Sequence, residues 1–175
     1  VAFTSDVKVV NTLIHNCGQY GFGGLGGGNY EVLYSTIVSY GNPLLRETPL
    51  FVVADFIPGT EIKNQPTSLK LINSIVYSNG FNATDEVLIT PLASGMDISN
   101  NLLRTSVYKE QLSNNSNKLN VEPKFKEPAK ANFALDTLSP ASSGARFLPG
   151  VPTDLKGRTR STTTPDIGAY ERLID

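Results

Sequence analysis

The sequence predicts an all-β fold, a single-stranded parallel β-helix of about four coils, on three observations. Gly, Asn, Ser and Thr occur 15 times each among the 175 residues. Ser and Asn compete for backbone groups, and Gly and Thr fit helices poorly, so this composition favours strands and turns. Four segments align without gaps: Lys8–Ile14, Val32–Val38, Lys70–Val76 and Asp97–Leu103. No stretch holds apolar residues at helical spacing over three turns.

The coils follow in order. Val1, Phe3, Val7, Val9 and Val10 open the chain as strand, with no cap before them. The first coil is therefore expected to abut further coils of the same protein, or a partner that covers it. Gly21-Phe-Gly-Gly-Leu-Gly26 has the spacing of a dinucleotide loop, which needs a helix after it. Asn29–Val38 is strand-like instead, so a tight Gly-rich coil is expected and no cofactor. Gly41-Asn42-Pro43 marks a bend, and residues 43–68 read as a long inserted loop around the strand-like Leu50–Phe56. Asn79-Gly80, the strand Glu86–Thr90 and Pro91 follow. Residues 104–118 are the best helical stretch, weakened by Thr105, Ser106 and the Asn114–Asn117 run. Residues 1–120 form the coils, and 121–175 close the same domain.

The alignment sets a polar column, Asn11, Ser35, Asn73 and Asn100, with spacings of 24, 38 and 27 residues. Asn tolerates the left-handed conformation of a sharp bend, and stacked amides can form a ladder. The flanking columns, Val9/Leu33/Leu71/Ile98 and Leu13/Ile37/Ile75/Leu102, become stripes of the core. A β-sandwich would instead need hairpin turns every 8–12 residues or so and predicts no polar column.

A net charge of −1 removes the electrostatic basis for nucleic-acid binding. No apolar run is long enough to span a membrane. Cys17 stands alone, which excludes an internal disulfide and a multi-cysteine zinc site. No calcium-loop spacing is present, so no metal is expected. The sequons at Asn82 and Asn114 read as exposed loops.

The tail reads Val121-Glu-Pro-Lys-Phe-Lys-Glu-Pro128, then Asn132–Ala145 with Ser139-Pro140, then Thr153-Asp-Leu-Lys-Gly-Arg-Thr-Arg160 and Pro165-Asp-Ile-Gly-Ala-Tyr-Glu171. It resembles the C-terminal end of bacterial right-handed parallel β-helix proteins of the pectate-lyase-like fold group. Pro165–Glu171 is its most specific part. Where those proteins usually carry Ala-Ile-Asp-Ala-Gly after Ser-Pro, this chain has Ala141-Ser-Ser-Gly-Ala145 and lacks the acid. The resemblance implies right-handed coils with an irregular tail. It also implies the C-terminal part of a larger secreted or surface protein of a Gram-negative bacterium. It implies no particular reaction, because the fold hosts lyases, hydrolases and non-catalytic adhesins alike.

Two functional readings follow. The first is a structural or carbohydrate-binding segment without a catalytic site. Its candidate polysaccharide-binding residues are His15 and Tyr77, which share an aligned column with Ser39 and Arg104, and Arg46 and Asp55 in the 43–68 insertion. The second is part of a polysaccharide lyase or glycoside hydrolase. A lyase needs a base and a neutraliser of the substrate acid, which points to Lys70 and Arg104, with Asp97 beside Lys70 on the next coil. The adjacent acids Asp85 and Glu86 point to opposite faces if they lie in a strand, which weakens a glycosidase pair.

Overall fold

The computed structural model describes residues 1–41, 46–80 and 85–172. The expected bend at Asn42-Pro43 and the Asn82 sequon lie outside them. Coil 1 contains β1 (Ala2–Phe3), β2 (Val7–Val10) and β3 (Leu13–His15). Coil 2 contains β4 (Phe22–Leu25), β5 (Gly28–Leu33) and β6 (Thr36–Ser39). Coil 3 contains β7 (Phe51–Ala54), β8 (Thr67–Ile72) and β9 (Ile75–Ser78). Coil 4 contains β10 (Val87–Thr90), β11 (Asp97–Ser99) and β12 (Leu102–Leu103). A single helical turn, α1 (Lys109–Leu112), then leads to β13 (Lys118–Leu119). The tail opens with a hairpin of β14 (Phe125–Glu127) and β15 (Asn132–Leu135).

Like strands stack into three parallel sheets: β1-β4-β7-β10, β2-β5-β8-β11 and β3-β6-β9-β12-β13. This is a right-handed parallel β-helix, and among the described residues antiparallel pairing is confined to the tail. Alternate residues of the sheets point inward and stack along the axis, as Val9, Val32, Leu71 and Ile98 do. Phe22 and Phe51 stack with ring centroids 5.1 Å apart. The span 43–68 is only partly an insertion, because β7 lies inside it and pairs with both neighbouring coils.

The bends between the second and third sheets fall at Asn11, Tyr34, Asn73 and Asn100, with φ of 49°, 47°, 56° and 55°. The left-handed Asn column is as the sequence predicts, but coil 2 is one residue out of the expected register. Val9 pairs with Val32 and Lys8 with Glu31, so Tyr34 takes the bend and Ser35 lies one place further on. A tyrosine holds this conformation because the tail secures both ends of its side chain. Its hydroxyl donates to the Arg146 carbonyl at 2.6 Å, and the Arg160 guanidinium lies 3.8 Å over its ring.

The polar ladder exists, one residue beyond the bend. Thr12, Ser35, Ser74, Asn101 and Asn117 stack, and each backbone N–H donates to the side-chain oxygen one level on, at 3.3, 3.1, 2.8 and 2.9 Å. Ser35, Ser74 and Asn101 are fully buried. Such bonds contribute about 1 kcal/mol each when made and cost more when a buried partner is lost.

The far end of the core is closed. Tyr108 and Leu112 pack into it, and the Tyr108 hydroxyl both receives the Ile89 N–H at 3.0 Å and donates to the Ile89 carbonyl at 2.8 Å. This occupies the outward backbone groups of Ile89 in the middle of the β10 edge, where a further strand would pair.

Candidate functional site

The motif-bearing tail lies along the bend column and grips every coil. Asn11 Nδ2 donates to the Thr153 carbonyl at 2.7 Å. Asn73 exchanges two hydrogen bonds with the Arg146 backbone, at 2.7 and 3.0 Å. Asn100 Nδ2 donates to the Gly144 carbonyl at 3.3 Å. Ala169 N–H donates to Thr36 Oγ1 at 3.0 Å, and Gly168 N–H to the Asn73 carbonyl at 2.8 Å. Gly168 has φ of +100°, and a Cβ there would sit 2.7 Å from Thr36 Oγ1, so no other residue fits this approach.

Arg160 organises the clasp. Its side chain is fully buried. Nη2 donates to Asn11 Oδ1 at 2.9 Å and to the Gly168 carbonyl at 3.1 Å, and Nη1 faces Glu171 Oε2 at 3.3 Å. The Glu171 carboxylate also accepts the N–H groups of Ser161 and Asp166, both at 3.0 Å. Burial pushes the Glu171 carboxyl up and the Arg160 guanidinium down, so each leans on the other and on these backbone donors. Asp154 caps its own turn through Lys156 and Arg158 N–H and accepts Glu171 N–H at 2.9 Å. Asp166 accepts Ser143 N–H at 2.7 Å, at the segment where the usual acid is absent. Arg160, Glu171, Asp154 and Asp166 thus hold the tail on the solenoid.

The second sheet shows a charged column on its outer face: Lys8, Glu31, Lys70 and Asp97 in successive coils. The expected pairing of Lys70 with Asp97 in register is present. Glu31, not Val32, stands between the two lysines. Its carboxylate binds Lys70 at 2.6 Å and Lys8 at 3.3 Å, which holds the carboxyl below its ordinary value and raises Lys70. Burial pushes the Asp97 carboxyl up. Hydrogen bonds from Ser99 and from Arg146 at 2.6 Å outweigh this and leave it lowered. A lysine held protonated by a carboxylate is a poor general base. Arg104 is on the third sheet, so the three catalytic candidates do not share one site.

This column sets a pH dependence. The depressed Glu31 contributes stability that is full above its ordinary value of 4.5 and is lost as pH falls below it. We expect thermal stability to decline on acidification through that range, and Glu31→Gln to flatten the decline slightly. The effect stays under about 1 kcal/mol, because the pair is solvent-screened.

The remaining binding candidates divide. Arg46 lies in a buried ion pair with Glu86 at 2.6 Å, and Glu86 Oε2 accepts Leu50 N–H at 3.0 Å. Ser78 Oγ donates to the same carboxylate. Asp55 sits just past β7, where its backbone bridges Thr90 and Gln65. His15 lies 5.3 Å from the Phe133 ring and is separated from Tyr77 by Val38, which replaces Ser39 in that column. The outer face of the third sheet is covered by the tail hairpin, with Phe125 and Phe133 packed on Tyr40 and Val38.

At the edge of this cover, Tyr77 and Arg104 meet. They line an open cleft of about 450 Å³ with Asn79, Ser106, Asn120 and Glu122. The Arg104 guanidinium is 5.7 Å from the Tyr77 ring centre and donates to the Ser78 carbonyl. It has no carboxylate partner among the described residues. The cleft wall is firm, because Asn120 makes two hydrogen bonds to the Thr105 backbone and Asp85 accepts the Ser106 and Val107 N–H groups. Burial raises the Tyr77 phenol, which Arg104 partly offsets. The Tyr40 hydroxyl is buried behind the cleft without a hydrogen-bond partner among the described residues. Burial pushes this phenol up, with Tyr77 and Glu122 adding to the effect and Arg104 opposing it. Sequence reading missed Asn79 just past β9, Asn120 just past β13 and Glu122 at the start of the tail, and it missed Tyr40.

Among the described residues, no three His, Cys, Asp or Glu side chains group as a metal site, and no helix is long and apolar enough to cross a membrane. No family model matches the chain, and no curated protein or solved structure matches it. The fold and its clasp therefore define what is established: a right-handed parallel β-helix closed by a tail locked across its coils.

Proposed function

We propose that this chain is a structural, carbohydrate-binding segment of a secreted or cell-surface bacterial β-helix protein. Its glycan site is the cleft at Tyr77 and Arg104. The observation that carries the proposal is the convergence there of an aromatic ring, a cation without a carboxylate partner, and exposed amide, hydroxyl and carboxylate groups. Sugars are held by such a mixture of apolar face and directed polar groups. The surface and bacterial setting rests on the tail's resemblance. The lyase or hydrolase reading is less well supported, because Lys70 and Asp97 are engaged in ion pairs on a sheet that Arg104 does not share.

Affinity electrophoresis and calorimetry on a panel of neutral and uronate-containing polysaccharides test this. Tyr77→Ala is expected to weaken binding by about tenfold, the scale of one aromatic contact. Lys70→Ala is expected to bind as the parent does. Binding by neither parent nor variants would refute the site, and a steady release of unsaturated or reducing ends would favour an enzyme.

A further inference from the structure

We infer that Asn79 is a modification site: its side chain deamidates spontaneously at Asn79-Gly80 and sets a carboxylate in the cleft beside Arg104. Sequence, backbone and cleft chemistry agree on it.

Asn79-Gly80 is the one Asn-Gly pair in the chain. Deamidation needs the backbone nitrogen after the asparagine to reach the side-chain carbon, and glycine, without a Cβ, adopts the required backbone angles most easily. Asn79 and Gly80 are both exposed just past β9, and a Cβ built on Gly80 meets nothing within 4 Å. Among the described residues, neither the Gly80 N–H nor Asn79 Nδ2 has a hydrogen-bond acceptor. The attacking and the leaving nitrogen are both unheld.

The surroundings favour the step. Asn79 Oδ1 accepts the Gly41 N–H at 3.3 Å. Negative charge develops on this oxygen when Cγ is attacked, so the donor stands where an oxyanion is stabilised. The Arg104 guanidinium donates to the Ser78 carbonyl, one residue before Asn79, and shares the cleft with it. Its positive charge favours both the deprotonated Gly80 amide and the oxyanion.

The Gly80 nitrogen gives up its proton and bonds to Asn79 Cγ. The Cγ–Nδ2 bond breaks, and Nδ2 leaves as ammonia with that proton. Water then opens the cyclic succinimide at either carbonyl, to aspartate or isoaspartate. Asn120 lines the same cleft and serves as an internal control. Its Nδ2 is held by the Thr105 carbonyl at 2.7 Å, and the branched Val121 after it hinders attack.

The new carboxylate gives Arg104 the counter-charge it lacks. The effect on binding rests on the glycan reading above: an acidic polysaccharide loses its cation, whereas a neutral one keeps the Tyr77 ring.

The parent and Gly80→Ala, incubated at mildly alkaline pH, are followed by peptide mass spectrometry. The parent is expected to gain about one dalton at residue 79 and none at Asn120. Gly80→Ala, which the open space around Gly80 accommodates, is expected to react at least about tenfold more slowly. An unmodified parent, equal gain at both asparagines, or an equally fast Gly80→Ala overturns the modification site. The separated deamidated protein and Asn79→Asp are then compared with the parent in calorimetry. Both are expected to bind a polyuronate about tenfold more weakly and a neutral polysaccharide unchanged. Equal binding of the polyuronate by all three, or a parent that binds only neutral polysaccharides, overturns the role given to the new charge. A parent that binds no polysaccharide refutes the glycan reading and the effect on binding with it, while the mass measurement decides the modification by itself.

Discussion

Replacing Arg160 by alanine is expected to lower the stability of the chain by about 3–5 kcal/mol, measured as a shift in the denaturant midpoint at unchanged slope. The truncation leaves Glu171 as a buried carboxylate without its cation. It also leaves Asn11 Oδ1 and the Gly168 carbonyl without a donor and removes the group stacked on Tyr34. Arg160→Lys is expected to recover little. An ammonium cannot reach Thr153, Asn11, Gly168 and Glu171 at once, whereas the planar guanidinium does.

Glu86→Ala has a comparable expected cost, about 3–5 kcal/mol by the same measurement. Glu86 is fully buried and binds Arg46, Ser78 and the Leu50 N–H together. Its loss strands a buried guanidinium, whose Nε already lacks a partner among the described residues. Glu86→Gln keeps the acceptor for Leu50 and is expected to cost less. The double variant Arg46→Met with Glu86→Leu is expected to be more stable than Glu86→Ala, because it leaves no lone charge buried. The two large costs arise in different places, one in the tail and one at the turn into β7, so they are expected to add.

The solenoid was legible because its signal is periodic. Columns of Val, Leu and Ile at one register, and Asn at three of four bends, follow directly from coil geometry. Coil 2 slipped by one residue because a small polar residue was expected at the bend and Ser35 lay next to it. Tyrosine is rare at positive φ, and only the tail, more than a hundred residues further along, makes it stable there. The slip hid Glu31, and with it the neutralisation of Lys70. It also set Ser39 where Val38 belongs in the column of His15 and Tyr77.

The tail motif was recognised by its residues, but its role was not readable from them. Thr153–Arg160 and Pro165–Glu171 act on Asn11, Thr36 and Asn73, partners that no local pattern reveals. The same long-range docking builds the cleft. Tyr77 and Arg104 were picked for an aligned column, and the structure brings them together. Glu122 and Asn120 reach them only because the chain turns back after β13. Glu86 neighbours Asp85 in sequence, yet it is fully buried just before β10, where Arg46, Ser78 and the Leu50 N–H bind it, while Asp85 holds the 105–107 loop.

A solenoid whose coils touch only their neighbours unfolds piece by piece, with each coil stabilised mainly by the next. A tail bonded to Asn11, Tyr34, Asn73 and Asn100 links all four coils at once. Native-state amide exchange in Arg160→Ala, resolved coil by coil, tests that claim most directly. The clasp predicts that protection falls together in β2, β5, β8 and β11. A fall confined to coil 1, where Arg160 meets Asn11, would show that the tail only decorates the solenoid and would contradict the account.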